Sequence, residues 1–205
     1  MISDIEALFE KKYSKYKCSL KESSYDNKND EYATTLPNSA YNYDEIIKHA
    51  VFKNNCTSCS QDAILFLKDS IFFIEFKNAI LEQKVNSSDR SILKKYKHKF
   101  NEDIKNKLLL KGVEGLYIFK KILSENKLEL EDINIKYILC YNESKNLSTS
   151  EETEVDKIFR NLRSLSESRN ISFGLFRLEN PFYYSEVRTL GRNEFENYIN
   201  FHTLL

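Results

Sequence analysis

The run Asp62-Ala-Ile-Leu-Phe-Leu67, the break Lys68-Asp69-Ser70 and the run Ile71-Phe-Phe-Ile-Glu-Phe-Lys77 decide how this chain is read. Two short, strongly apolar runs on either side of polar turn residues form a β-hairpin. Both faces of both strands are apolar, which predicts a central position in a sheet that is covered on each side. Three charged groups interrupt the pattern: Asp62, Glu75 and Lys77. A two-residue turn at Lys68-Asp69 sets Asp62 opposite Glu75, and directly opposed residues share a face with Cβ atoms about 5 Å apart. Lys77, two residues beyond Glu75, points to that same face. Its other members are Ile64, Phe66, Ile71 and Phe73, so the polar trio occupies one end of an apolar surface.

Two opposed carboxylates on such a face repel each other and lose hydration, which is costly unless something cationic joins them. A divalent cation with hard oxygen ligands resolves the conflict. Mg²⁺ suits the pattern, because it takes one or two carboxylates and completes its shell with water and phosphate oxygens. Lys77 beside it would orient a water or stabilise charge developing at phosphorus. The competing arrangement is a salt bridge centred on Lys77 at a sheet edge, with both acids partly solvated.

Around the hairpin, Ile5, Leu8, Phe9, Tyr13 and Tyr16 have helical spacing. Residues 17–39 are Ser/Asn/Asp/Lys-rich and read as a long loop with a short strand near Cys18. Asn42-Tyr-Asp-Glu45 has the chemistry of a capping box at a helix start. Ile92, Tyr96, Phe100, Ile104 and Leu108 mark a helix that Gly112 is expected to break, with a second helix over 113–126. A strand follows over 133–141, a helix over 151–168, a strand over 171–178 and a last helix over 194–201. The order predicts an α/β three-layer sandwich with a small mixed central sheet flanked by helices. Residues 1–39 read as an N-terminal helix with a polar extension, and 40–205 as the α/β domain.

Length and composition fit this plan. The 205 residues are 41% hydrophobic and 30% charged, enough apolar content for a core and too much for wholesale disorder. With 4 Gly and 2 Pro, neither Walker nor Rossmann spacing occurs, which sets aside nucleotide-binding classes built on those loops. No apolar stretch approaches the length of a membrane span, and the acidic N-terminus lacks a signal-peptide pattern, so a cytoplasmic protein is expected. Net charge is zero but uneven: residues 84–121 hold eleven Lys/Arg against four Asp/Glu, and residues 125–156 hold nine acids against three lysines. The basic block reads either as an anion-facing side or as a solvated helix face. Cys56-Thr-Ser-Cys59 has the spacing of half a zinc site with no second half, so reduced thiols are expected.

Asp62, a short spacer, then Glu75-Phe76-Lys77 resembles the signature of the PD-(D/E)xK, or restriction-endonuclease-like, nuclease superfamily. The resemblance covers about residues 42–121, and the family's core order of helix, hairpin, helix and strand matches the order of elements read above. Gln61 stands where the family often has Pro. The resemblance implies that Asp62 and Glu75 bind Mg²⁺ or Mn²⁺ together with the backbone carbonyl of Phe76, and that Lys77 is the catalytic lysine. It also implies an acid on the first core helix, for which Glu45 is the candidate; Glu45 is equally the residue of the capping box. Basic residues on the helix after the motif approach phosphates in the family, and Lys94, Lys95, Lys97, His98 and Lys99 stand there. As a cluster they favour a nucleic-acid backbone.

The expected function is therefore a metal-dependent endonuclease that hydrolyses phosphodiester bonds of nucleic acid, DNA before RNA, in restriction, defence, repair or as a toxin module. A homodimer or an operon-encoded protein is a further partner to test. The alternative is a non-catalytic relative that binds nucleic acid or protein on the same fold.

Overall fold

The two apolar runs of the hairpin are buried on both faces, and the remaining elements are arranged to cover them. The computed structural model describes residues 2–52, 60–78, 90–130, 132–143 and 175–204, with side chains described throughout these except in 90–102. In chain order the elements are α1 (Ile2–Tyr13), β1 (Lys17–Ser19), α2 (Leu20–Ser23), β2 (Tyr25–Asp26), β3 (Glu31–Tyr32), β4 (Ser39–Asn42), α3 (Tyr43–Glu45, continued as a π-helical turn over Ile46–Val51), β5 (Ala63–Phe66), β6 (Ser70–Lys77), α4 (Arg90–Glu125), β7 (Asn134–Tyr141), β8 (Glu186–Gly191) and α5 (Arg192–Leu204).

Six strands form one mixed sheet in the order β1-β4-β5-β6-β7-β8. Neighbours from β1 to β6 are antiparallel, whereas β6, β7 and β8 run parallel. A parallel neighbour requires a crossover, and α4 supplies the one from β6 to β7. On one face Ile64, Phe66, Ile71, Phe73, Tyr137 and Leu139 pack with Ile5 and Phe9 of α1 and with Leu108, Phe119 and Ile122 of α4. Edge-to-face ring contacts lock this layer, Phe9 to Phe66 at 5.1 Å and Phe73 to Phe119 at 5.2 Å; each such pair adds about 1 kcal/mol beyond the area it buries. On the other face Leu65, Phe72, Ile74, Phe76 and Ile138 pack with Leu20 of α2 and with Phe195 and Ile199 of α5. The expected α/β sandwich is thus observed, with the hairpin strands third and fourth of six.

Several elements differ from the sequence reading. Gly112 does not break α4, which is continuous from Arg90 to Glu125. A glycine costs a helix interior only about 1 kcal/mol, and here its missing side chain makes room: a Cβ at Gly112 would lie 2.6 Å from Leu178 Cδ1. Residues 39–42 form β4, an inner strand beside β5; the segment 17–39 holds the expected short strand near Cys18 as β1, but also a one-turn helix and a small hairpin in place of a long loop. That turn, α2, carries the reciprocal capping box, with Glu22 N donating to Ser19 Oγ at 3.1 Å and Ser19 N donating to Glu22 Oε2 at 2.7 Å. At the other expected box, Asn42 Oδ1 accepts from Glu45 N at 3.1 Å, but Glu45 turns to His49 instead. The segment 1–39 also lends β1 to the sheet edge and Ile5 and Phe9 to the core.

Of the strand expected over 171–178, residues 171–174 lie outside the described residues and 175–178 form a 3₁₀ turn; the last strand of the sheet is β8. Its alternating burial at Val187, Thr189 and Gly191 is the period-two pattern of an edge strand with one face on the core. The helix expected over 151–168 lies outside the described residues, as do Cys56 and Cys59. Cys18 and Cys140 are free thiols. Among the described residues no helix is long and apolar enough to cross a membrane.

Candidate active site

The hairpin closes as its sequence dictates. Leu67 and Ser70 exchange backbone hydrogen bonds of 3.0 and 3.4 Å across Lys68-Asp69, and Ala63 pairs with Ile74, Ile64 with Phe73, Leu65 with Phe72 and Phe66 with Ile71. Extending that register by one residue sets Asp62 against Glu75, on the face of Phe73 that α4 covers. β5 ends at Phe66 and Ala63, so the Phe76 N–H has no strand carbonyl to meet at this end of the ladder. Asp62 Oδ2 accepts it instead, at 2.6 Å.

Glu75 is wholly excluded from solvent. Lys77 Nζ lies 2.5 Å from its Oε1. A second ammonium, that of Lys111 on α4, lies 2.8 Å from Oε1, 2.9 Å from Oε2 and 3.5 Å from Asp62 Oδ1. The pair of opposed acids is thus embedded with a pair of lysines. Burial raises the Glu75 carboxyl above its ordinary range and the Asp62 charge adds to this, while Lys77 and Lys111 pull it back. The Tyr137 hydroxyl of β7 is buried near these acids and has no hydrogen-bond partner among the described residues. Burial pushes its phenol well above the ordinary value, and the Glu75 charge pushes it further.

Lys111 is the site residue that sequence reading missed. The signal was present in the helical stripe Ile104, Leu108, Lys111, Gly115, Ile118, Ile122, where a lysine and a glycine occupy positions that face the sheet. Splitting the helix at Gly112 cut that period in two. Three side chains clasp this turn of α4 to the rest of the fold. Gln61 Nε2 donates to Lys111 O at 2.8 Å, Tyr184 Oη donates to Gly112 O at 2.8 Å, and Tyr43 Oη donates to Gly115 O at 2.7 Å. Gly115 leaves room for this clasp, since a Cβ there would fall 2.0 Å from Gln61 Oε1 and displace the Gln61 amide. Gln61, with its side-chain amide on the Lys111 carbonyl, therefore helps to set the position of Lys111.

Glu45 is not brought to the acid pair: its carboxylate meets His49 Nε2 at 3.0 Å and Lys48 Nζ at 3.5 Å, on the outer side of α3. Its neighbour Asp44 faces inward, accepting from Ser60 Oγ at 2.8 Å and acting electrostatically on Lys111. The backbone of Lys94, Lys95, Lys97, His98 and Lys99 lies in the first half of α4, and their side chains lie outside the described residues. Lys99 stands twelve residues before Lys111, about 18 Å along the helix axis, so this cluster flanks the acid pair at a distance.

As a donor set, Asp62 and Glu75 offer hard oxygens in the number that Mg²⁺ takes from a protein, and the seating of an ammonium between them shows that the position suits a cation. Among the described residues no group of three or more Asp, Glu, His or Cys side chains comes together around it. Comparison with protein-family models, with curated proteins and with solved structures gave no match.

Proposed function

We propose that this chain is a metal-dependent phosphodiesterase acting on nucleic acid, with a restriction-endonuclease-like core, and DNA favoured over RNA. The observation that carries the proposal is the placement of Asp62, Glu75 and Lys77 together at the end of β5 and β6, two acids opposed in register and a lysine two residues on. Further support comes from the element order: helix α3, the acid-bearing hairpin, helix α4 and the parallel strand β7 follow as in that superfamily. Asp62, Glu75 and the Phe76 carbonyl would hold Mg²⁺ or Mn²⁺, which supplies an activated water and a Lewis acid for phosphorus. Lys77 keeps a positive charge where the phosphate oxygens gain negative charge, and the basic first half of α4 supplies the electrostatic attraction for the strand. Glu45, turned to His49, is left to the helix start and is not included among the ligands.

The test is nicking of supercoiled plasmid with Mg²⁺ or Mn²⁺, run beside linear duplex, single-stranded DNA and RNA. Activity that disappears on chelation and in Lys77→Ala supports the proposal. Cleavage that survives in Lys77→Ala, or no cleavage of any substrate, refutes it. One observation favours a second reading, a non-catalytic nucleic-acid-binding relative: Lys111 together with Lys77 already balances the charge of the acid pair. Metal-independent binding without cleavage is the outcome that selects it.

A further inference from the structure

We propose that Lys111 is a built-in, displaceable counter-ion of the acid pair, holding the cation position between Glu75 and Asp62 in the metal-free protein and competing with a divalent metal for the same oxygens. This rests on the metal-site reading above and adds a regulator to it.

The geometry carries the inference. Lys111 Nζ bonds both oxygens of Glu75 and reaches toward Oδ1 of Asp62, the Asp62 oxygen that the Phe76 N–H does not use. These are the oxygens a metal would need. Charge balance makes the competition obligatory. Two carboxylates with Lys77 and Lys111 sum to zero, so a dication added beside the buried Glu75 leaves a surplus of two positive charges, reduced to one if an ammonium departs. Lys111 bonds both oxygens of Glu75 and also reaches Asp62, so Lys111 is the ammonium that stands between the two acids.

The fold allows that departure without unfolding. The Lys111 backbone is clasped by Gln61, with Tyr184 and Tyr43 holding the next carbonyls, while its ammonium rides on a flexible four-carbon stem. The helix stays and the charge moves. Metal-free protein is thereby spared an unpaired acid pair, at the expense of metal affinity.

The experiment is Mn²⁺ binding to the full chain, measured by calorimetry without nucleic acid, for the wild type, Lys111→Met and Lys111→Arg. Lys111→Met is expected to bind at least about tenfold more tightly than the wild type, and Lys111→Arg no more tightly. Equal or weaker binding by a folded Lys111→Met overturns the proposal and leaves the metal-site reading standing. Failure of the wild type and both variants to bind Mn²⁺ overturns both. Should Lys111→Met not fold, ¹⁵N spectra of lysine Nζ groups in the wild type decide the matter, with the Lys111 signal assigned from Lys111→Arg. Saturation with Mg²⁺ is expected to move that signal to the position of solvated lysines, and an unmoved signal in the metal-loaded protein refutes displacement.

Discussion

Lys111, on the crossover helix α4, and Glu75, on the strand that precedes it, meet through both carboxylate oxygens at 2.8 and 2.9 Å. A buried pair of this kind contributes modestly as a pair, yet removing one partner strands a charge away from water. Glu75→Gln and Lys111→Met are each expected to destabilise the metal-free protein, Lys111→Met by about 3 kcal/mol. The double variant is expected to lose much less than the sum of the two. Urea titrations of the four proteins give the coupling directly, and additive losses would mean that Lys77 alone balances Glu75.

Asp62 has two separable tasks, repelling Glu75 and accepting the Phe76 N–H at 2.6 Å. Asp62→Asn keeps an acceptor oxygen and removes a charge that opposes Glu75, so the metal-free variant is expected to be as stable as the wild type or more so. Asp62→Ala removes the acceptor as well and is expected to cost about 1–3 kcal/mol. Any stabilisation by Mn²⁺, which follows from mass action, is expected to vanish in both. Melting curves with and without metal separate the two tasks.

Glu186 on β8 gives a pH signature that is independent of the acid pair. It lies opposite Lys136 of β7, with a salt bridge of 3.0 Å, and it also pairs with Arg188. Burial pushes its carboxyl up, but hydrogen bonds from Arg188 and Lys136 outweigh this and hold it down at about 2. The folded value lies below the unfolded one of about 4.3, so the stabilisation is complete above that value and is lost as pH falls toward about 2. Glu186→Gln is expected to cost about 1–2 kcal/mol near neutrality, after allowance for solvent screening. Denaturant midpoints for wild type and variant should converge as the solution is acidified below about pH 4; a constant gap would show that the pair contributes by packing alone.

For the basic half of α4, neutralising Lys94, Lys95 and Lys99 to Gln is expected to weaken binding to all nucleic-acid sequences alike. Each lost phosphate contact removes about 0.9 from the slope of log K against log salt on duplex DNA. An unchanged slope in the triple variant would make the block a solvated face and move strand binding to another surface. Mn²⁺ affinity is expected to stay the same, because Lys99 stands about 18 Å along the helix from Lys111.

What the sequence determined by itself was local and periodic. Two apolar runs around Lys68-Asp69 specify a hairpin and its register, because slipping by one residue would turn Phe73, Glu75 and Lys77 onto the opposite face. That was enough to oppose Asp62 and Glu75 and to bury the hairpin at the centre of an α/β sandwich. The tertiary structure decided everything that depends on which distant surface meets that face. β4 was hidden because Ser39, Ala40, Tyr41 and Asn42 carry little strand signal of their own and become a strand by pairing with Ala63 and Ile64. Gly112 was mistaken for a break because its helix cost, about 1 kcal/mol, is outweighed by packing against Leu178, a residue far away in the chain. Lys111 was invisible as a site residue for the same reason: a lysine is a surface residue by default, and only the meeting of α4 with the end of β6 makes it the partner of a buried Glu75. Side-chain alternation is written into neighbouring residues, whereas the pairing of a charge is written into the fold that brings its counter-charge to it.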